Sequence, residues 1–370
     1  MSVELRRSNP RRIGAALLLA ALCSALCSAL AAPDDAQAES ETPPETEVTW
    51  LKTAPRTEKG RFVNPIGPLP HGSGGRFPFF WRRMQATLWP RKGAAEARAS
   101  AREDFLNRSE KSPWVTWVGH ATLLIEMSGV RFLTDPIWSK RASPISWIGP
   151  TRLRDPGLAW DDLPDIDFVL ISHNHFDHLD RPTLRRLAER NPDAIFYVPL
   201  GNGQLLRKDG IENVVELDWT QKTNFGPLEI VCLPAQHWSK RGLRDNNAAL
   251  WSSWAVLGPS RRFFFAGDTA YFSGFTEIGE QYGPFDLAAV PIGAYRPVDM
   301  MKATHMNPEQ AYQAALDLQA QKALAIHFGT FDLADEPLDE PPQRFMEAGA
   351  EAQPGEAETW VFSLGEIRPF

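Results

Sequence analysis

Apolar positions in the middle of the chain fall into short continuous runs rather than helical stripes. Trp114 to Val118, Ala121 to Glu126 and Val130 to Thr134 read as strands, with Ser128-Gly129 as a hairpin turn between the last two. Asp135-Pro136 closes the third run, and an irregular segment with Pro144, Pro150 and Pro156 follows. Asp167 to Ile171 has the unbroken apolar core of a strand buried on both faces of a sheet. The period then changes to that of a helix. Asp180 stands at its cap, Pro182 suits its first turn, and Leu184, Leu187 and Ala188 form its buried stripe. Ala194 to Val198 and Val214 to Leu217 are further strands.

The second half runs in a similar order. Strands are expected at Leu228 to Leu233, Ser253 to Leu257, Arg262 to Ala266 and Leu287 to Ile292. A helix follows from Pro308 to Gln321, with Asn307 at its cap and Gln310 at the reciprocal position. Ala323 to Ile326 is a last buried strand that ends at His327. The alternation predicts an α/β fold whose halves repeat one order of elements, although no short sequence repeat accompanies it.

The polar residues that punctuate these strands change the picture. His173, Asn174, His175, Phe176, Asp177 and His178 place three imidazoles and a carboxylate in one turn, directly after the Asp167 to Ile171 run. Imidazole nitrogen and carboxylate oxygen are the donors zinc prefers, and strand carboxyl ends are where open α/β sheets place ligands. His237, Asp268 and His327 each follow a strand in the same way. One such histidine would more often bond its own loop, so the weight lies on the joint pattern. Together the candidates supply five imidazoles and two carboxylates, enough for two metals sharing a carboxylate and a bridging hydroxide. Adjacent Asp177 and His178 diverge from the direction of His173 and His175, and two neighbouring metals solve that geometry.

At this point the chain resembles the metallo-β-lactamase superfamily, whose histidine turn has the same spacing. Gly119-His120-Ala121-Thr122, Phe132 to Pro136, Ile171 to Asp180, Gln236-His237-Trp238, Phe263 to Thr269, Gly283 to Tyr295 and Ala325 to Thr330 narrow the resemblance to the N-acylphosphatidylethanolamine-hydrolysing phospholipases D, over roughly residues 112 to 340. The resemblance implies a four-layer αβ/βα sandwich with an N-terminal extension. It implies one zinc ion on His173, His175 and His237, a second on Asp177, His178 and His327, and Asp268 bridging them. His305 falls where the family has a histidine facing the substrate, so Asp268, Asp177 and His305 are the expected catalytic residues. The implied reaction is hydrolysis of the phospholipid to phosphatidic acid and N-acylethanolamine. Phe176 and Thr304 depart from the tyrosine and glutamine of mammalian members; neither is a ligand. Among the remaining polar residues, Asp135 is expected to hold the second nitrogen of a ligand imidazole. His120 either does the same or ties its own turn, and His71 is expected in a surface loop.

Composition bounds the rest. The 370 residues are 43% hydrophobic, enough for a substantial core. Arg6, Arg7, Arg11 and Arg12 precede an uncharged stretch from Ile13 to Ala32, which reads as a signal peptide over residues 1–31, cleaved after Ala29-Leu30-Ala31. An uncleaved anchor is the rival, and Leu22 and Leu26 before Cys23 and Cys27 argue against lipidation. Export to the periplasm or association with a membrane through this segment follows. Residues 32–50 are acidic and proline-containing and read as a disordered spacer. Residues 51–111 reverse the charge, with thirteen Lys or Arg against five Asp or Glu, and residues 112–370 form the catalytic domain. Within that basic arm, residues 77–83 (Phe-Pro-Phe-Phe-Trp-Arg-Arg) suit an anionic membrane interface. The alternative, and the preferred one, packs the aromatics on the domain and pairs the arginines with its acidic surface. An acidic catalytic domain disfavours nucleic acid, and the oligomeric state, homodimer included, stays open. Cys232 is the one cysteine left after cleavage, and its apolar run makes it a core residue. A small-molecule lactonase and a non-catalytic envelope metal- or lipid-binding protein are the rival functions, because fold and metals do not by themselves fix a substrate.

Overall fold

The computed structural model describes residues 49–65, 76–88, 101–107 and 113–370. The expected signal peptide, most of the acidic spacer and His71 lie outside them. No helix among the described residues is long and apolar enough to cross a membrane.

Among the described residues fourteen strands form two sheets of seven. The first contains β1 (Trp114–Gly119), β2 (Thr122–Met127), β3 (Val130–Thr134), β4 (Phe168–Leu170), β5 (Ile195–Pro199), β6 (Val214–Leu217) and the chain's last strand, β14 (Ile367–Pro369). The second contains β7 (Lys222–Phe225), β8 (Leu228–Leu233), β9 (Ser253–Leu257), β10 (Arg262–Phe265), β11 (Leu287–Pro291), β12 (Lys322–Ile326) and β13 (Glu358–Trp360). Their orders are β14-β1-β2-β3-β4-β5-β6 and β13-β12-β11-β10-β9-β8-β7. In the first, β14 to β3 pair antiparallel and β3 to β6 parallel. In the second, β7 to β10 are antiparallel and β10 to β13 parallel. The repeat of element order is therefore matched by a repeat of pairing, with one asymmetry: the first sheet takes its outer antiparallel strand from the far end of the chain.

The strands form because their runs bury both faces. Phe132, Phe168 and Leu170 enter the core between the sheets, whereas Leu133 and Val169 face an outer layer with Leu184 and Leu187. Phe132 stacks on Phe168 with ring centroids 4.6 Å apart and reaches Phe263 of the other sheet at 5.9 Å. Cys232 is fully buried in this inner core, where burial pushes its thiol pKa up.

Helices α1 (Arg76–Leu88) and α2 (Ala101–Leu106) precede the sheets. Helix α3 (Arg181–Arg190) follows the histidine turn, and α4 (Gly203–Arg207) follows β5. The second half adds α5 (Gly274–Tyr282), α6 (Val298–Met301), α7 (Pro308–Asp317) and α8 (Glu340–Ala350). Asp180 occupies the cap position of α3, but its carboxylate caps no helix amide. It accepts instead from Ser139 N and Oγ and from Thr183 Oγ1, which ties the irregular segment after β3 to the helix. Asn307 and Gln310 form the reciprocal cap of α7. That helix stops before Gln321 because Gln319 turns left-handed, with φ 55°, and Gln321 N donates to Phe285 O.

Two boundaries move. Trp50, at the end of the expected spacer, is buried: its indole donates to Ser273 Oγ, and its backbone amide to the Glu277 carboxylate. In the arm, Phe79 is buried, Arg82 meets Asp335 at 2.5 Å, and Arg83 meets Asp332 at 2.5 Å and Asp335 at 2.7 Å. For these residues the preferred packing arrangement is the observed one. Trp81 stays exposed, and the side chains of Phe77 and Phe80 lie outside the described set.

Because Phe132 joins the sheets, Phe132→Ala should lower the free energy of urea unfolding by about 3–5 kcal/mol. A change below about 1 kcal/mol would show that the intersheet core repacks around the loss.

Candidate metal centre

Every strand expected to deliver a donor does so at its carboxyl end. Sheet one sends the histidine turn from β4, and sheet two sends His237 from β8, Asp268 from β10 and His327 from β12. The two sets of strand ends face each other, and four groups of donor atoms gather there, each with its atoms within 4.8 Å of one another. These are His173, His175 and His237; His120, Asp177, His178 and His327; Asp135, His173 and His178; and His237, Asp268 and His305.

In the first group His175 Nδ1 lies 2.8 Å from His173 Nε2 and 3.3 Å from His237 Nε2. In the second, Asp177 Oδ2 lies 3.4 Å from His178 Nε2 and 3.6 Å from His327 Nε2. Asp268 Oδ2 stands between the groups, 3.2 Å from both His178 Nε2 and His327 Nε2 and 3.9 Å from both His173 Nε2 and His237 Nε2. The fit to metal ions can be judged from these contacts. Imidazole nitrogens on a tetrahedral zinc with bonds of about 2.0–2.1 Å sit roughly 3.3 Å apart. His178 Nε2, His327 Nε2 and Asp268 Oδ1 are buried with no hydrogen-bond partner among the described residues, a costly state that a cation in their midst would relieve. The donor set fits.

Support for the rings comes from several elements. Asp135 Oδ2 is 2.6 Å from His178 Nδ1 and accepts from Ser172 Oγ at 2.5 Å, and that hydroxyl is 2.9 Å from His173 Nδ1. His237 Nδ1 reaches the Thr304 carbonyl at 2.9 Å. In each case one ring nitrogen is held so that the other faces the cluster. His120 Nε2 is 3.0 Å from the Asp177 carboxylate rather than from a ligand imidazole, and its backbone N–H donates to the distant Thr330 Oγ1. It stands nearer the donors than a supporting role requires, within the Asp177 group itself. His305 lies 5.2 Å from His237 and 5.6 Å from His327 between ring centroids, with Nδ1 buried and unpartnered.

Sequence reasoning passed over Ser172, although a hydroxyl directly before His173 was a visible signal. It also passed over Arg241, whose guanidinium lies 4.1 Å from the Phe176 ring and donates to the carbonyls of Asn174 and Leu179. No local pattern announces that contact. Trp238 packs edge-on against His175 at 4.4 Å, close to the donors. Tyr295 is buried with its hydroxyl committed to Glu340, a carboxylate that Arg296 and Arg344 also hold.

Burial pulls the pKa values of His173 and His237 well below the ordinary value and takes His175 and His305 to about 4. His178 and His327 behave oppositely. Burial opposes their charge, but Asp268, Asp177 and, for His178, Asp135 outweigh it and raise both, His327 to about 9. Asp177 and Asp268 are held well below the carboxylate range despite burial, chiefly by His178.

The description of the beta-lactamase superfamily domain matches residues 130–328, more than half of the chain. The chain belongs to the metallo-β-lactamase superfamily. All seven donors named by the resemblance lie within the matched span. N-acyl-phosphatidylethanolamine-hydrolyzing phospholipase D 1 of Caenorhabditis elegans is 45% identical over 241 residues, 62% of this chain and 67% of that protein. The mitochondrial N-acyl-phosphatidylethanolamine-hydrolyzing phospholipase D of Saccharomyces cerevisiae is 34% identical over 246 residues, 64% of this chain. The match spans only 52% of the yeast protein's length. Among solved structures, the metallo-beta-lactamase fold protein YhfI of Bacillus subtilis aligns with TM-score 0.51 at 16% identity, over 70% or less of this chain (69%) and 99% of that one, a likeness of fold.

The raised pair generates a prediction. His178 and His327 stabilise the metal-free fold as imidazolium below the ordinary histidine pKa near 6.5, and that contribution fades as pH rises through their folded values, about 9 for His327. Metal loading at pH 7 should therefore release protons. Calorimetric titration of metal-free protein with zinc, in buffers of different ionisation enthalpy, should show net proton release that diminishes above about pH 9. Release that does not vary with pH would contradict the charge distribution described.

Proposed function

We propose that this metal-dependent hydrolase is a phosphodiesterase of the phospholipase D type, acting on N-acylphosphatidylethanolamine-like lipids to yield phosphatidic acid and N-acylethanolamine. The observation that carries the proposal is the pairing of a complete seven-residue donor set with 45% identity to a relative of that activity. His173, His175 and His237 would hold one zinc ion, Asp177, His178 and His327 a second, and Asp268 would touch both. Two such ions, when bound, supply Lewis acidity that activates water near neutral pH and neutralises charge on a phosphoryl oxygen.

The residues of the chain do the rest. Asp268 fixes the spacing of the two donor groups through one carboxylate oxygen, so that attacking water and phosphorus meet in line with the departing alcohol. Asp135 and Ser172 hold the outer nitrogens of His178 and His173 and keep their inner nitrogens directed at the cluster. His305 is neutral at pH 7, since burial sets its pKa at about 4. Its protonated form is too scarce at pH 7 to supply a proton to the departing alkoxide, so its role is to orient the phosphate through a ring N–H. Burial of most of the cluster, with His175 and Asp177 half-buried, strengthens these contacts.

A cleft of about 340 Å³ opens beside the histidine turn, lined by Phe176, Pro144, Arg241 and Asp180, and by Arg181 and Arg185, both paired with Asp209. Its mixture of cationic and apolar walls suits an anionic lipid better than a small neutral lactone. Export and contact of the exposed Trp81 with a lipid surface are consistent with such a substrate, and both belong to the proposal.

Asp268→Asn keeps the side chain's size but removes the negative charge that stands between the donor groups. Release of N-acylethanolamine from vesicles should fall by at least about 100-fold, with metal content reduced. Full turnover with normal metal content would overturn the two-metal scheme, and a wild-type protein that opens lactones while leaving vesicle lipids intact would overturn the substrate assignment.

A further inference from the structure

The segment from Thr49 to Pro65 precedes the superfamily domain in sequence yet is built into the donor cluster's support. At one end Trp50 packs on Phe272, with ring centroids 4.4 Å apart, and bonds Ser273 and Glu277, on the element that follows the Asp268 loop. At the other end Phe62 is 1% exposed, and its backbone N–H donates to Asn247 O at 2.9 Å. Arg61 Nη2 donates to Arg244 O at 2.9 Å. From Arg61 to Asn64 the segment lies against the loop that carries His237.

Asn64 makes the decisive contact. It is 5% exposed, and its Nδ2 donates to the backbone carbonyl of His237 at 2.9 Å, a buried bond across 173 positions of sequence. The loop after β8 has no helix or strand until β9 begins at Ser253, so ladder hydrogen bonds do not fix its backbone. Its shape rests on isolated contacts, among them Asn247 N to Ser239 O at 2.7 Å and Ser239 N to Asn247 Oδ1 at 3.1 Å. For His237 two points are set from outside the loop: Thr304 O fixes ring nitrogen Nδ1, and Asn64 fixes the main-chain carbonyl. With both set, Nε2 is directed to His175 and Asp268. The donors of the other group depend on different contacts. His178 is held by Asp135, and Asp177 is met by His120.

We infer that Asn64 is a positioning residue for His237, so that the strap from Thr49 to Pro65 governs how firmly the His173, His175 and His237 group retains its metal ion. The inference rests on the two-metal assignment above. It predicts a selective effect, because the Asp177, His178 and His327 group does not lean on the strap.

The test uses the full chain and zinc itself. Wild-type, Asn64→Ala and Asn64→Ser proteins are loaded, dialysed against a graded zinc chelator and assayed for bound metal. Lys222→Ala, which cuts an exposed ion pair with Glu229 at the edge of the second sheet and outside the strap, is the control. In the Asn64 variants one of the two ions should be lost at about tenfold lower chelator strength, the lower end of what supporting residues contribute to metal affinity, while the second follows wild type. Lys222→Ala should match wild type throughout. Cobalt(II) substitution should change one of two visible absorption components, a signature that general loosening of the fold does not produce. Near-ultraviolet circular dichroism of the metal-free proteins identifies any variant that has lost its packing, and Asn64→Ser, which retains a small polar side chain, then serves as the comparison. Retention equal to wild type, or parallel loss of both ions, would overturn the role of Asn64. A wild-type chain that binds no zinc would overturn the metal assignment instead.

Discussion

One buried carboxylate oxygen, Asp268 Oδ2, has four ligand-type imidazole nitrogens within 3.9 Å, drawn from both sheets. A charge so fully removed from water is stable only where positive charge gathers around it. The histidine turn of sheet one and the strand ends of sheet two must therefore meet at a fixed separation. The intersheet core sets that separation: Phe132, Phe168 and Phe263 hold β3 and β4 against β10, the strand that delivers Asp268. Backbone shape completes the approach. Gly267 is left-handed with φ 61°, and a Cβ there would fall 2.5 Å from Ser172, the residue that links Asp135 to His173. Gly293 is equally constrained, since a Cβ would fall 2.1 Å from the carbonyl of His327.

Around the donors, the fold works chiefly through single hydrogen bonds from distant segments. Asp135 arrives from the end of β3, Thr304 from the turn after α6 and Asn64 from before the domain. Each meets a ring nitrogen or a carbonyl of a donor residue, and none is itself required to touch a substrate. Preorganisation of this kind matters because a metal site tolerates little error in ligand direction, whereas the loops that carry the ligands lack a ladder of their own. The electrostatics follow the same geometry. His178 and His327, between Asp268 and Asp177, hold their protons despite burial, whereas burial strips them from His173, His237 and His120, so the cluster carries two opposite tendencies within a few ångströms.

Much of this was legible in the chain. The apolar runs located eleven of the fourteen described strands, most plainly where burial on both faces left a continuous signal, as at Phe168 to Leu170 and Leu228 to Leu233. β7 alternates exposed and half-buried residues and lies at a sheet edge, and β13 and β14 have three residues each, so none carries such a run. The donors themselves were visible because several imidazoles and carboxylates after successive strands have few structural explanations. The capping pair Asn307 and Gln310 was visible because its contacts are local.

The sequence by itself determined the α/β alternation, the turn from His173 to His178 and the donors that follow later strands, since each is written in neighbouring residues. Only the tertiary structure decided how those donors divide into groups, that His120 joins the Asp177 group, and that Tyr295 turns its hydroxyl to Glu340. It also decided that β14 completes the first sheet, that Arg82 and Arg83 meet Asp335 and Asp332, and that Asn64 holds the His237 carbonyl. The physical reason is range. Periodicity and capping act over a few positions, whereas these contacts join residues far apart in the chain and exist only after the two sheets have packed face to face.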